Sequence, residues 1–218
     1  MVRYGMLIDI NRCIGCSICV KACKDEHANP HLPHSSAQPA PAYGYAIDSF
    51  GWPQTPQILT PWVISGHLWM KLDEQVKGSF PHVQVQYLPQ PCMHCDPAPC
   101  IQASLNSAVV RRPEGIVFID PEKSQGQKHL VNACPYHRIY YNTKQQIPQK
   151  CTFCAHLIDL GQFPRCVTAC PLKVILFGDL HDANSLLVTQ IQALNAKPLQ
   201  NVPGTNPAIY YTNHSKST

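Results

Sequence analysis

An α+β fold follows from three features of the sequence: four cysteine-bearing loops spread along 218 residues, short strand-like and helix-like runs beside them, and 21 prolines that favour long wrapped connections over regular layers. The first loop organises the rest. Cys13-Ile-Gly-Cys-Ser-Ile-Cys-Val-Lys-Ala-Cys23 sets four cysteines at C-x2-C-x2-C-x3-C spacing, just after an alternating segment from Tyr4 to Ile10. Two-residue gaps let a tight loop aim three thiolates at three corners of an iron–sulfur cube, and the longer gap opens a helix that turns the fourth sulfur toward a neighbouring cube. Zinc prefers two separated pairs around one tetrahedral ion, which a run of close sulfurs suits poorly. The spacing predicts [4Fe–4S] clusters.

Taken in order, Val20 to His27 read as a short helix leaving the first loop. From Asn29 to Pro91 the chain has no cysteine, many prolines and a dense set of aromatics (Tyr43, Tyr45, Phe50, Trp52, Trp62, Trp69). That stretch reads either as a local mini-core or as an arm docked on a partner, since Tyr and Trp favour interfaces. The second motif is Cys92-Met-His-Cys95-Asp-Pro-Ala-Pro-Cys100, with Ser104 where a fourth sulfur is expected. Val109-Val110 and Gly115 to Asp120 predict a hairpin. From Ser124 to Pro135 the chain has the outline of a motif from which only Cys134-Pro survives; Ser124, Gln127 and Leu130 hold the other ligand positions. The fourth motif is Cys151-Thr-Phe-Cys154, an eleven-residue insert, then Cys166-Val-Thr-Ala-Cys170-Pro171. A strand (Lys173 to Phe177), a helix (Asp182 to Ala193), an extended segment (Ala208 to Tyr211) and a frayed end complete the chain.

In a two-cluster ferredoxin each cube takes three sulfurs from one motif and the fourth from its partner. Four motifs pair in three ways, and two of those strand a cysteine or present Ser104 to a cube. Nested pairing, first with fourth and second with third, leaves nothing over. One set is then Cys13, Cys16, Cys19 and Cys170; a second is Cys151, Cys154, Cys166 and Cys23; a third is Cys92, Cys95, Cys100 and Cys134. All twelve cysteines are used, and the lost positions belong to a single absent fourth cube. The predicted architecture is two ferredoxin-like, bacterial-dicluster units related by pseudo-twofold symmetry, with long loop insertions. Residues 1–28 with 145–180 form the first unit, 92–144 the second, 29–91 the insertion, and 181–218 a C-terminal helix and extended tail.

The formal charge of +4 omits the clusters, each about −2 when oxidised with four thiolates, and three of them bring the holoprotein to about −2. Nucleic-acid binding is therefore not expected, and Lys21, Lys24, Arg138, Lys150 and Arg165 read as counter-charges to the clusters or as ordinary surface. His27, His94, His137 and His156 lie near the motifs as candidate donors to cluster sulfur, none of them a ligand. No signal peptide and no apolar run long enough to span a bilayer is found, which predicts reduced thiols, a cytoplasmic location and no direct membrane insertion. With no phosphate loop, Rossmann fingerprint or nucleophile–base pair, no catalytic residue is expected in this chain.

The motif order resembles the electron-transfer subunits that accompany molybdopterin oxidoreductases of the dimethyl sulfoxide reductase superfamily. Pro91 to Cys95, Gly115 to Lys123, Ala133 to Tyr136 and Gln149 to Leu157 carry a further likeness, to small subunits of the pyrogallol–phloroglucinol transhydroxylase and resorcinol hydroxylase type. The resemblance implies three [4Fe–4S] clusters and a large catalytic subunit that holds the molybdopterin cofactor in a heterodimer. It also implies an external electron carrier, and hydroxylation or transhydroxylation of phenolic aromatics by the partner. The competing readings are a subunit of a membrane-anchored S-, N- or Se-oxide reductase, a freestanding polyferredoxin, and a zinc-binding interaction module.

Overall fold

The computed structural model describes residues 1–28, 69–198 and 202–212. Its centre is a three-stranded sheet whose middle strand is β1 (Tyr4–Ile8). After β1 come α1 (Ile18–Ala28), the hairpin β2 (Lys71–Lys77) and β3 (Gln84–Gln90), and the short α2 (Pro99–Gln102). Two further hairpins follow, β4 (Val109–Arg111) with β5 (Val117–Ile119), and β6 (Tyr140–Asn142) with β7 (Ile147–Gln149). The chain continues through α3 (Ala155–Ile158), α4 (Arg165–Ala169), β8 (Ile175–Asp179), α5 (Leu186–Ala193) and β9 (Ile209–Tyr211).

β1 pairs antiparallel with β8, Tyr4 opposite Asp179 and Ile8 opposite Ile175, and parallel with β9 on its other edge. The alternation seen in its sequence does not become an inside and an outside. Residues 5–8 are all buried: Met6 and Ile8 join the main core, while Leu7 packs with Leu187 and Ala196 under α5. A central strand covered on both faces has no solvent side.

This sheet ties the ends of the chain together. With β8 against β1 and α4 packed on α1, the fourth motif lies beside the first. The β4–β5 hairpin forms where expected, and its turn accepts the Tyr4 N–H at the Glu114 carbonyl, 3.0 Å away.

Three boundaries differ from expectation. β8 starts at Ile175 rather than Lys173, because Lys173 has φ +50° in the turn that follows Cys170. α5 starts at Leu186 rather than Asp182, because the polar Asp182 and Ser185 form a turn and a cap: Asp182 Oδ1 accepts the Asn184 N–H, and Ser185 Oγ accepts the Val188 N–H at 3.2 Å. Such side chains compete with helix and favour its start. The third difference lies in the 29–91 insertion, whose residues 71–90 form the β2–β3 hairpin. Its Tyr87 lies against the first motif, where a Cβ on Gly15 (φ +71°) would stand 2.5 Å from the ring. Tyr43, Tyr45, Phe50, Trp52 and Trp62 lie outside the described residues; Trp69 lies tilted against His27 with ring centroids 4.1 Å apart.

Candidate iron–sulfur sites

One local turn recurs at the first C-x-x-C pair of three motifs, Cys13/Cys16, Cys92/Cys95 and Cys151/Cys154. Its third residue is left-handed each time: Gly15 at φ +71°, His94 at +45°, Phe153 at +55°. That conformation folds the backbone so that the N–H of the third residue meets the first sulfur. The His94 N–H donates to Cys92 Sγ at 3.4 Å, and the Phe153 N–H to Cys151 Sγ at 3.4 Å. Both cysteines of a pair then face one side. A second turn recurs after each Cys-Pro: the His137 N–H donates to the Cys134 carbonyl at 3.0 Å, and the Lys173 N–H to that of Cys170 at 3.2 Å. Glycine is the usual solution for positive φ; His and Phe at these positions hide the repeat from sequence inspection.

The turns gather the thiols into three sets. Cys13, Cys16, Cys19 and Cys170 line a hollow of about 370 Å³ walled by Leu72, Pro89, Val174 and Ile175. Cys92, Cys95, Cys100 and Cys134 line another of about 320 Å³, with Val117, Ile139 and Lys150 in its wall. Cys23, Cys151, Cys154 and Cys166 are all buried and close enough that Cys151, Cys23 and Cys154 each push the Cys166 thiol further above its ordinary range, after burial itself. The second set neighbours each of the other two. Cys19 and Cys23 are one helical turn apart on α1, which links the first set to the second. Cys92 is the strongest charge neighbour of Cys151, which links the second to the third.

Burial, followed by neighbouring thiols, drives Cys19, Cys95 and Cys100 toward their protonated form. Cys19 is pushed up to about 12, with Cys13, Cys170 and Cys16 adding to burial. Cys95 also reaches about 12, by burial and then Cys92 and Cys134. Cys100 reaches about 11, where burial and Cys92 raise it and Lys150 opposes them. Iron must displace these protons, so site loading and proton release are coupled.

His94 is buried between the second and third sets, stacked on Phe153 with centroids 3.7 Å apart. Burial first, then Lys150 and Arg111, hold it well below the usual imidazole range. Its Nδ1 accepts the Val117 N–H at 3.0 Å, so the proton sits on Nε2, a buried atom without a hydrogen-bond partner among the described residues. Four soft thiols around an apolar hollow, backbone N–H groups aimed at sulfur and a spare buried donor fit an iron–sulfur cluster. Among the described residues no three His, Cys, Asp or Glu side chains are placed to hold a single metal ion.

The remaining motif positions are filled by packing. Gln127 clasps the neighbouring loop: its Oε1 accepts the Leu105 N–H at 3.0 Å, and its Nε2 donates to the carbonyls of Leu105 and Lys123. Ser124 and Leu130 are fully buried, and Ser104 Oγ donates to the Ile101 carbonyl at 2.9 Å. Of the basic residues near the motifs, Arg165 pairs with Glu26 at 2.5 Å, and Glu26 also meets His156 at 2.8 Å. Lys150 and Arg138 are instead buried, 2% and 6% exposed, a distinction for which the sequence carries no signal. His27 Nε2 lies 3.5 Å from Cys154 Sγ.

The fold and these thiol sets define a ferredoxin-like iron–sulfur protein. A family model described as a 4Fe-4S dicluster domain matches residues 83–180, and one described as a 4Fe-4S binding domain matches residues 4–25. The pyrogallol hydroxytransferase small subunit of Pelobacter acidigallici is 35% identical over 98% of this chain and 69% of its own length. A sulfite dehydrogenase subunit of Allochromatium vinosum is 30% identical over 100% of this chain and 85% of its own length. A tetrathionate reductase subunit of Salmonella typhimurium is 31% identical, covering 96% and 72%. The chain belongs to the iron–sulfur electron-transfer subunits of the dimethyl sulfoxide reductase superfamily. No helix among the described residues is long and apolar enough to cross a membrane.

Proposed function

We propose that this chain holds three [4Fe–4S] clusters and relays single electrons between a molybdopterin-containing catalytic subunit and an external carrier. Cys13, Cys16, Cys19 and Cys170 would hold the first, Cys151, Cys154, Cys166 and Cys23 the second, and Cys92, Cys95, Cys100 and Cys134 the third. The observation that carries this reading is the gathering of all twelve cysteines into three four-thiol sets. Each cluster supplies a one-electron couple. The protein binds it through thiolates, excludes water with walls such as Val174 and Ile139, and aims N–H groups at sulfur. Residues 1–28 with 145–180 would form one ferredoxin-like unit and 92–144 the other, about a pseudo-twofold axis.

The partner would hydroxylate or transhydroxylate phenolic aromatics in a cytoplasmic heterodimer. The relative named pyrogallol hydroxytransferase small subunit supports this. The relatives named for sulfite dehydrogenase and tetrathionate reductase favour the second reading, a subunit serving a sulfur-compound oxidoreductase. Affinity purification of the tagged chain from its native source, with molybdenum and iron assayed together, tests the proposal. A larger molybdenum-containing polypeptide whose reduction follows added phenols is expected. Sulfur-compound turnover would favour the second reading, and a cluster-loaded chain that purifies alone would overturn both.

A further inference from the structure

Lys150 is a buried cation whose partners are neutral. Its Nζ donates to the Val117 carbonyl and, at 3.0 Å, to the Cys151 carbonyl, and among the described residues no carboxylate pairs with it. A charge taken out of water is costly unless an opposite charge answers it. The neighbouring groups do not. Arg111 carries the same sign and meets Asp96 at 3.1 Å, His94 is neutral, and Arg138 spends its donors on the carbonyls of Tyr136 and Gln90. The side chain does line the hollow of Cys92, Cys95, Cys100 and Cys134. The wall of the first hollow has no lysine, arginine or histidine.

We propose that Lys150 is a fixed counter-charge that makes a cluster held by the third thiol set easier to reduce than one held by the first. The inference rests on the three-cluster reading above. Reduction adds one negative charge to the hollow, and a cation in its wall stabilises that state over the oxidised one. The electron would arrive from a cluster held by the neighbouring second set, which would be oxidised by one, and no bond would form or break. Lys150 is thus a positioning residue for the electron, next in the chain to Cys151 of the donor set.

The test is a redox titration of the intact complex followed by electron paramagnetic resonance, with iron analysis, for wild type, Lys150→Met and Lys150→Arg. The third set's signal is the one that Cys95→Ala removes. In wild type its midpoint should lie above that of the first set, whose signal Cys13→Ala removes. In Lys150→Met its reduction equilibrium should fall about tenfold, about 59 mV for one electron, while the first set's signal moves less and Lys150→Arg stays near wild type. An unshifted midpoint in a fully iron-loaded Lys150→Met, or a third signal whose midpoint does not exceed that of the first set in wild type, overturns the proposal. Should Lys150→Met lose iron, Lys150→Gln, which retains a donor for the Val117 carbonyl, is titrated instead. Iron loss in both neutral variants but not in Lys150→Arg would make the lysine an assembly element and also overturn it. Fewer than about twelve irons in wild type would instead defeat the three-cluster reading, independently of Lys150.

Discussion

The first and third thiol hollows are built on the same turn and end in different environments. Around the first, Cys16 is exposed and Ile14, beside it, is 63% exposed. The four cysteines of the third are all buried, with Lys150 in the wall and the Cys134 Sγ taking the Arg138 N–H at 3.3 Å. Loop geometry is therefore local, set by a left-handed third residue, whereas exposure and charge come from what packs outside the loop.

The sharpest way to break this contrast is to remove one sulfur from each hollow. Cys134→Ala should cost the third set its iron, because no solvent ligand can reach a buried vacancy. Cys16→Ala should keep its iron when a small thiol is supplied, because that corner is open. Iron analysis with and without added thiol checks both, and equal loss in the two variants would contradict the contrast. Phe153→Ala comes next. The ring is fully buried and stacked on His94, so its loss should destabilise the loaded protein by about 3–5 kcal/mol, read by anaerobic denaturation. In a third experiment, limited oxidation by air should bleach the signal of the first set before that of the third, since oxidant reaches exposed sulfur soonest. Simultaneous decay would place the two in equal environments.

The smallest effect concerns the Arg112–Asp159 pair, 3.0 and 2.5 Å, which joins the β4–β5 hairpin to the end of α3. Hydrogen bonding to Arg112 holds the Asp159 carboxyl below its usual range. A depressed folded value means that the pair stabilises fully above the unfolded carboxylate value of about 3.9 and is lost as pH falls through the folded one. The Asp159 side chain is about half exposed and that of Arg112 about a third, so solvent screening limits the effect to about 1 kcal/mol or less. Asp159→Asn should lower the Tm slightly at neutral pH and match wild type in strong acid. A difference that persists in acid would assign the effect to something other than the ion pair.

Cysteine spacing carried most of the site, because short covalent gaps restrict where sulfurs can point. Nested pairing of the motifs joins Cys170 to Cys13 and Cys23 to Cys166, thiols that the structure also places side by side. The β4–β5 hairpin and α1 were legible for a similar reason: each is local. Three features were not. Burial of β1 on both faces depends on α5, more than 170 residues away. The β2–β3 hairpin was masked by the proline-rich composition around it. Lys150 and Lys24 look alike in sequence, and only the tertiary packing encloses the first while leaving the second partly exposed.

The central claim is the cross-wiring of distant motifs, and paramagnetic resonance of the reduced complex carrying Cys170→Ala tests it most directly. The account expects that variant to alter the same signal as Cys13→Ala and to spare the one altered by Cys151→Ala. A Cys170→Ala spectrum that instead loses the Cys151-dependent signal, or loses none, would contradict it.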